Sequence, residues 1–385
     1  MSGYRRPLFL FGTRPEAIKL APLILEARRR RGLEPLVAAT GQHREMVAQV
    51  LAVFGLEPER DLALMRPDQT LPDLTARALL GVGGLLRELR PDCLVVQGDT
   101  TTVMAGALAA FYEGVDVVHV EAGLRTDNLR SPYPEEMNRR VVGQLARLHL
   151  APTPRAARAL RSEGLERTGA RIATTGNSVI DALLLAVERA KSLADPAPEV
   201  AEARAWKTAG PARKLVLVTG HRRENFGPAF EEFCLGVRDI ADDHPDALVL
   251  YPVHLNPNVQ EPVRRLLAGR ANVRLAPVLD YLNFVAALAL ADVVVTDSGG
   301  VQEEAPALGV PVLVTRDTTE RPEALAGGGV ELVGPDRARI REGAARWLAR
   351  TERPAPASPY GDGRAAVRCL DAIQRLPVEE FAPPE

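Results

Sequence analysis

Lysine is nearly absent from this chain. It stands only at Lys19, Lys191, Lys207 and Lys214, among 48 lysines and arginines in all, so a lysine inside a motif stands out. Cysteine is also scarce. Cys93, Cys234 and Cys369 are far apart and odd in number, which excludes a disulfide framework and reads as buried small apolar residues. No Cys or His cluster has metal-ligand spacing. No Gly-x-x-x-x-Gly-Lys loop is present, and Gly81-Val82-Gly83-Gly84 lies inside a helical pattern rather than after a strand, so it is no dinucleotide fingerprint. The sequence therefore calls for no metal and no cofactor. Long apolar runs are missing too. Leu8-Phe9-Leu10-Phe11 is too short for a signal-peptide core or a membrane span. The net charge of −2 gives no global electrostatic case for nucleic acid or for a membrane surface. The expected compartment is the cytoplasm.

What is present is an ordinary globular composition, 46% apolar and 25% charged, over 385 residues, a length that favours two domains. Short β-branched runs alternate with amphipathic stretches throughout. The clearest strands are Leu8–Phe11, Leu36–Ala39, Leu94–Val96, Val117–Val120, Leu215–Val218, Leu248–Tyr251, Val293–Thr296 and Val312–Val314. Continuous apolar strands alternating with helices imply parallel sheets covered on both faces, an α/β fold. The pattern runs as two series and predicts two doubly wound, Rossmann-like lobes with a ligand cleft between them. The first lobe is expected over 1–177, with a C-terminal helix in 363–385 packing back on it. The second is expected over 178–362.

Charged residues cluster where strands end. The first strand leads into Gly12-Thr13-Arg14-Pro15-Glu16-Ala17-Ile18-Lys19. Pro15 suits a first helical turn, and Arg14 and Lys19 near that helix N-terminus suit an anion. A second strand ends in Gly98-Asp99-Thr100-Thr101-Thr102, where Asp99, taken alone, reads first as a helix N-cap. A third ends in Glu121, and Glu135 opens a helix in Tyr133-Pro134-Glu135-Glu136. Three carboxylates at such positions are what removal and return of a proton at carbon requires.

In the second half, Thr219-Gly220-His221 places a histidine at a strand end, suited to a phosphate or a leaving group. The strongest local signal is Thr296-Asp297-Ser298-Gly299-Gly300-Val301-Gln302-Glu303-Glu304. A buried strand running through Ser298, Gly299 and Gly300 into a helix can turn backbone N–H groups towards a pyrophosphate. Glu304 is placed to accept ribose hydroxyls, Arg321 to clamp a phosphate, and Phe284 either to pack on a base or to belong to the core.

Taken together and in order, these motifs resemble the bacterial non-hydrolysing UDP-N-acetylglucosamine 2-epimerases. The resemblance extends over nearly the whole chain, through Phe11–Lys19, Gly98–Thr102, His119–Thr126, Ser131–Arg139, Thr219–Glu224, Tyr251–Asn258, Thr296–Pro306, Val314–Ala324 and Pro359–Gly363. It implies a GT-B-like pair of lobes, a homodimer, and UDP-N-acetylglucosamine as substrate. It implies Asp99, Glu121 and Glu135 as acid/base groups, with His221 near the phosphates. Arg14 and Lys19 line the site. Ser298, Gly299, Gly300, Glu304 and Arg321 hold UDP, with Phe284 at the uracil. Some relatives bind a second substrate molecule as activator. Gln42, His43, Gln69 and His254 match positions implicated there, while Asp68 stands where some relatives carry arginine.

The implied chemistry is epimerisation at C2 of the sugar. UDP departs, the C2 proton is lost to give 2-acetamidoglucal, a proton arrives on the other face, and UDP adds back, yielding UDP-N-acetylmannosamine. A hydrolysing epimerase, a glycosyltransferase of the same two-lobed class and a non-catalytic nucleotide-sugar sensor are the alternatives. The three carboxylates argue against the last two.

Overall fold

The computed structural model describes residues 3–41, 44–66, 69–222, 225–319 and 321–383. The chain divides into two compact units. One comprises Met1–Ala182 with Tyr360–Pro383, the other Leu183–Pro359.

The first unit is built on a seven-stranded, all-parallel sheet of β1 (Pro7–Phe11), β2 (Leu36–Ala39), β3 (Arg60–Asp61), β4 (Cys93–Gln97), β5 (Asp116–Val120), β6 (Leu148–Ala151) and β7 (Arg171–Thr174). Their spatial order is β3-β2-β1-β4-β5-β6-β7. The connecting helices are α1 (Arg14–Arg29), α2 (Arg44–Phe54), α3 (Leu71–Leu89), α4 (Thr101–Tyr112), α5 (Glu135–Leu145) and α6 (Pro154–Ser162). α7 (Ser178–Lys191) runs on into the second unit. β1 and β4 are apolar along their length save Gln97, and every residue is buried, as strands covered on both faces must be. Leu8, Leu10, Leu94 and Val96 pack with Val103 and Ala107 of α4 in one core. A Cβ on Gly106 would come within 2.9 Å of Leu10 Cδ2, so α4 approaches the sheet closely only with glycine there.

The second unit carries six parallel strands in the order β10-β9-β8-β11-β12-β13. They are β8 (Lys214–Thr219), β9 (Ala247–Pro252), β10 (Val273–Ala276), β11 (Val293–Thr296), β12 (Val312–Val314) and β13 (Val330–Leu332). Around them run α8 (Pro198–Thr208), α9 (Pro228–Asp243), α10 (Pro257–Leu267), α11 (Tyr281–Leu290), α12 (Val301–Ala307), α13 (Pro322–Ala326) and α14 (Arg337–Leu348). Val216, Val218, Val295, Phe230, Phe233 and Tyr251 form the centre of its core, each buried large side chain contributing about 1.5–3 kcal/mol.

The last helix, α15 (Ala365–Ile373), belongs to the first unit. Arg30, the C-cap of α1, pairs with Asp371 at 2.6 Å and donates to Val367 O at 3.0 Å. Asp181 accepts the Ala365 and Ala366 N–H groups at the start of α15. Phe381 N–H then bonds Thr174 O at 2.8 Å. The first unit reaches five residues past 177, because Asp181 on the first turn of α7 is bound into it. Among the described residues no helix is long and apolar enough to cross a membrane.

In both sheets the strand order reverses once, between β1 and β4 and between β8 and β11. At such a switch point the loops leaving neighbouring strands part in opposite directions and open a crevice at the strand C-termini. The loops at these two points are Gly12–Arg14 with Gly98–Thr100, and Gly220–Arg222 with Asp297–Gly300.

Candidate active site

In the first unit, Glu121 follows β5 directly and is 7% exposed. Its backbone takes φ 61°, a left-handed conformation unusual for a glutamate and of the kind that accumulates at functional sites. Lys19 Nζ lies 2.7 Å from each of its carboxylate oxygens. Gln97 at the end of β4 donates to Oε2, and Asn177 after β7 donates to Oε1 at 3.0 Å. Lys19 is itself anchored, with its carbonyl accepting from Ser178 Oγ at 2.6 Å. Four segments distant in sequence thus meet on one carboxylate.

Asp99 sits one strand over, after Gly98, which needs its φ of 80° to make the turn. Asp99 does not cap α4. The cap is Thr100, whose hydroxyl accepts Val103 N–H at 3.3 Å. The Asp99 side chain remains 29% exposed and pairs through Oδ2 with Arg139 Nη1 at 2.6 Å, with no hydrogen bond to Oδ1 among the described residues. Burial pushes its carboxyl above the usual value. Arg139 opposes that, the Glu121 charge adds to it, and Lys19 opposes it. α5 is tied to the same loop, since Asn138 Nδ2 donates to Asp99 O at 2.8 Å. Glu135 lies one turn before Arg139 and so shares its helix face. Glu135 Oε2 is buried and has no hydrogen-bond partner among the described residues. The neighbouring Glu136 is structural: it is fully buried and binds Arg139, Arg140 and the Thr126 N–H.

Glu16 is a residue the motif reading passed over. It is 2% exposed and accepts Gly12 N–H at 2.6 Å, Thr13 N–H at 3.1 Å and Thr100 Oγ1 at 2.6 Å. It therefore clamps the loop after β1 to the loop after β4. Burial pushes its carboxyl up, against those three bonds. Arg14 is half-buried and makes no hydrogen bond or ion pair among the described residues.

In the second unit, His221 follows Gly220, where a Cβ would lie 3.0 Å from the Phe233 ring and 3.1 Å from Tyr251 Oη. Tyr251 Oη donates to Gly220 O. The His221 side chain is 41% exposed, with Nδ1 3.5 Å from Asp297 Oδ1. Its ring stacks on His254, centroids 5.5 Å apart. Partial burial pushes the imidazole below its usual value; Asp297 opposes that, while His254 and Arg222 add to it. A Cβ on Gly299 would lie 3.6 Å from Arg222 Nη2 and 3.7 Å from Arg321 Cζ, so two guanidinium groups flank that glycine. Arg321 is already paired, Nε to Glu303 at 2.7 Å. Arg222 has no ion pair among the described residues, and its Nε is buried without a partner. Ser298 N–H bonds Thr296 Oγ1 at 2.9 Å. Glu304, 8% exposed, stands in the first turn of α12. Phe284, half-buried, lies on α11 beyond the Asp280 cap.

Four positions are tied by the resemblance to a second ligand, and only Gln69 and His254 of them are among the described residues. Gln42, His43 and Asp68 lie outside the described residues. Gln69 belongs to the first unit, bonded to Arg77 and to Arg66 N–H, while His254 belongs to the second. Arg223 and Glu224 of the histidine motif also lie outside the described residues.

Two doubly wound parallel sheets in one chain, each with ionisable side chains at its switch point, define a GT-B-like α/β protein. Comparison with known proteins carries this further. The UDP-N-acetylglucosamine 2-epimerase family model matches residues 25–374. The chain is 49% identical over 372 residues to the UDP-N-acetylglucosamine 2-epimerase of Escherichia coli K12, covering 95% of this chain and 98% of that one. It is 49% identical over 374 residues to a probable UDP-N-acetylglucosamine 2-epimerase of Ralstonia solanacearum, at 96% and 99% coverage. Among solved structures, the UDP-GlcNAc 2-epimerase of Neisseria meningitidis, crystallised bound to UDP-GlcNAc, superposes with a TM-score of 0.84 at 40% identity, covering 96% of this chain and all of that one. The chain belongs to the UDP-N-acetylglucosamine 2-epimerase family and is an isomerase.

Proposed function

We propose that the protein interconverts UDP-N-acetylglucosamine and UDP-N-acetylmannosamine by eliminating and re-adding UDP, without hydrolysis. The observation that carries this reading is the pair of carboxylates at adjacent strand ends, Glu121 held by Lys19 and Asp99 held by Arg139.

The C2 proton of the sugar is not adjacent to a carbonyl and is too weakly acidic to be taken directly. Breaking the C1–O bond first sends its electron pair to UDP and leaves oxocarbenium character at C1, which acidifies C2–H. A base then takes the proton and 2-acetamidoglucal forms. Return of a proton to the opposite face, with re-addition of UDP at C1, gives the epimer. Glu121 spends both oxygens on Lys19, Gln97 and Asn177, which suits it to fix the sugar and balance charge. Asp99 Oδ1 and Glu135 Oε2 have no hydrogen-bond partner among the described residues and suit the proton exchange. Burial raises the Asp99 carboxyl, which favours it as the group that can carry the proton.

The departing diphosphate needs positive charge that is present before reaction. Arg222, Arg321 and His221 supply it around Gly299, with Ser298 and Gly300 beside them, Glu304 for the ribose and Phe284 for the uracil. Arg14 and Lys19 supply charge from the first unit. Self-association as a homodimer is supported by Leu80 on α3 and Phe111 and Tyr112 at the end of α4, which stay 74%, 60% and 67% exposed.

The test is positional isotope exchange. UDP-N-acetylglucosamine carrying ¹⁸O in the C1–O–P bridge is incubated with the enzyme and followed by ³¹P NMR. Scrambling of the label into the non-bridging β-phosphate oxygens, without accumulation of free UDP, supports cleavage and return. Epimerisation with the label still wholly in the bridge contradicts it, and stoichiometric free UDP moves the protein to the hydrolysing reading.

A further inference from the structure

Asp297 is a buried carboxylate whose two oxygens do different things. The residue is 1% exposed. Oδ2 accepts the backbone N–H groups of His221, at 2.9 Å, and of Arg222, at 2.8 Å. Oδ1 is buried, has no hydrogen-bond partner among the described residues, and faces His221 Nδ1 at 3.5 Å. A buried carboxylate oxygen without a donor is costly unless something compensates its charge. The group it faces is a ring that can supply that charge by taking up a proton.

We propose that Asp297 is a positioning residue of the reaction, one oxygen fixing the backbone that carries His221 and Arg222, the other readying His221 to take up a proton when the diphosphate of the nucleotide sugar binds. This rests on the reading that a UDP-sugar is held at His221, Arg222 and Arg321. His221 then bridges two anions as an imidazolium, Nδ1–H towards Asp297 and Nε2–H towards the diphosphate, with the proton coming from solvent and no covalent bond changing.

The groups facing the ring fit this use. Among the described residues, Asp297, His254 and Arg222 are the charged or titratable neighbours that act on it. A protonated His254 would repel charge on His221. However, His254 Nδ1 accepts the Asn256 N–H at 3.1 Å, a contact that a neutral imidazole makes and an imidazolium cannot. A neutral ring stacked at an interplanar angle of 19° presents its π face to the cation, which is attractive. Without ligand, partial burial and Arg222 keep the proton off and Asp297 favours it. A bound diphosphate tips that balance. The sign follows from linkage. The ligand raises the pKa of His221, so affinity is full below the ligand-free value and falls as pH rises through the ligand-bound value.

The experiment is calorimetric titration of the full-length protein with UDP-N-acetylglucosamine at pH 7, in buffers of different ionisation heat. The diphosphate of this ligand is a diester and has no phosphate monoester group titrating near pH 6, so proton uptake reports the protein. The expected result is net uptake approaching one proton, absent in His221→Gln. In Asp297→Asn uptake falls and affinity drops by about tenfold, the order of one charge-assisted contact. Asparagine keeps an acceptor for the two backbone N–H groups. In that variant ¹⁵N NMR should show His221 shifted to the Nε2–H tautomer, which a merely structural role for Asp297 would not produce. Binding without proton uptake in the native protein, or native uptake in Asp297→Asn, overturns the role of Asp297 and leaves the UDP reading intact. No binding of the nucleotide sugar at all overturns both.

Discussion

Lys19 and Glu121, 102 residues apart, meet with the ammonium nitrogen 2.7 Å from each carboxylate oxygen. Both side chains are largely buried, 16% and 5% exposed. Removing one partner strands the other's charge. Lys19→Met is expected to lower the stability of the first unit by about 3 kcal/mol and turnover by about 10²–10³. Adding Glu121→Gln to Lys19→Met removes the stranded charge and should return most of the stability but none of the activity. Urea unfolding and initial rates on Lys19→Met, Glu121→Gln and the double variant check this, and full additivity of the two changes would contradict it.

Arg222 flanks Gly299 and has no ion pair among the described residues. A guanidinium held without a counter-charge is ready for an anion. Arg222→Ala is expected to weaken UDP binding by about 1.5–3 kcal/mol, the range for a charge-assisted bond, with little loss of folding stability. Calorimetric titration with UDP and a thermal melt read the two quantities separately.

Asp99 and Glu135 each keep an oxygen without a hydrogen-bond partner among the described residues, while both oxygens of Glu121 are bonded. Asp99→Asn and Glu135→Gln should abolish turnover and keep UDP affinity within about threefold, since the diphosphate contacts lie elsewhere. Loss of UDP affinity in step with activity would remove this division of roles.

The sheet of the first unit carries a pair of buried histidines. His119, on β5, bonds Gly98 O through Nε2 at 2.7 Å, and His149 beside it on β6 has neither ring nitrogen bonded among the described residues. Burial pushes them down to about 4 and about 3. Both fall below the unfolded value near 6.5, so the unfolded chain binds more protons in acid. Stability is thus present above pH ~6.5 and lost as pH falls towards the folded values, by about 1.4 kcal/mol per pH unit for each ring. His149→Phe should roughly halve that slope between pH 6.5 and 4, as read by urea midpoints across the range. An unchanged slope would mean the acid loss comes from carboxylates alone.

Much of the fold is legible in the sequence because strands buried on both faces must be continuously apolar. All eight strands singled out there recur within a residue or two. Strands such as β3, β10 and β13 do not announce themselves. They lie at or next to a sheet edge and carry Arg60, Asp61, Arg274 and Glu331 in short runs. β6 is broken as a pattern by His149. At the site, ionisable side chains at strand ends stand out: Asp99 and His221 directly after a glycine, Glu121 directly after a buried strand. The groups that hold them do not. Gln97 looks like the last residue of a strand, Asn177 like a helix cap (which it also is, through Val179 N–H), and Glu16 like first-turn acid. Asp297 was inside a quoted motif, but its partner is 76 residues away. Such pairings come from strand order, which periodicity does not encode.

The central claim is that the C2 proton leaves and returns without any loss of UDP. Incubation with UDP-N-acetylglucosamine alone in D₂O, followed by proton NMR of the sugar, tests it most directly. UDP-N-acetylmannosamine carrying deuterium at C2, with no free UDP accumulating, is the expected result. Epimer that retains its original C2 proton would contradict the account.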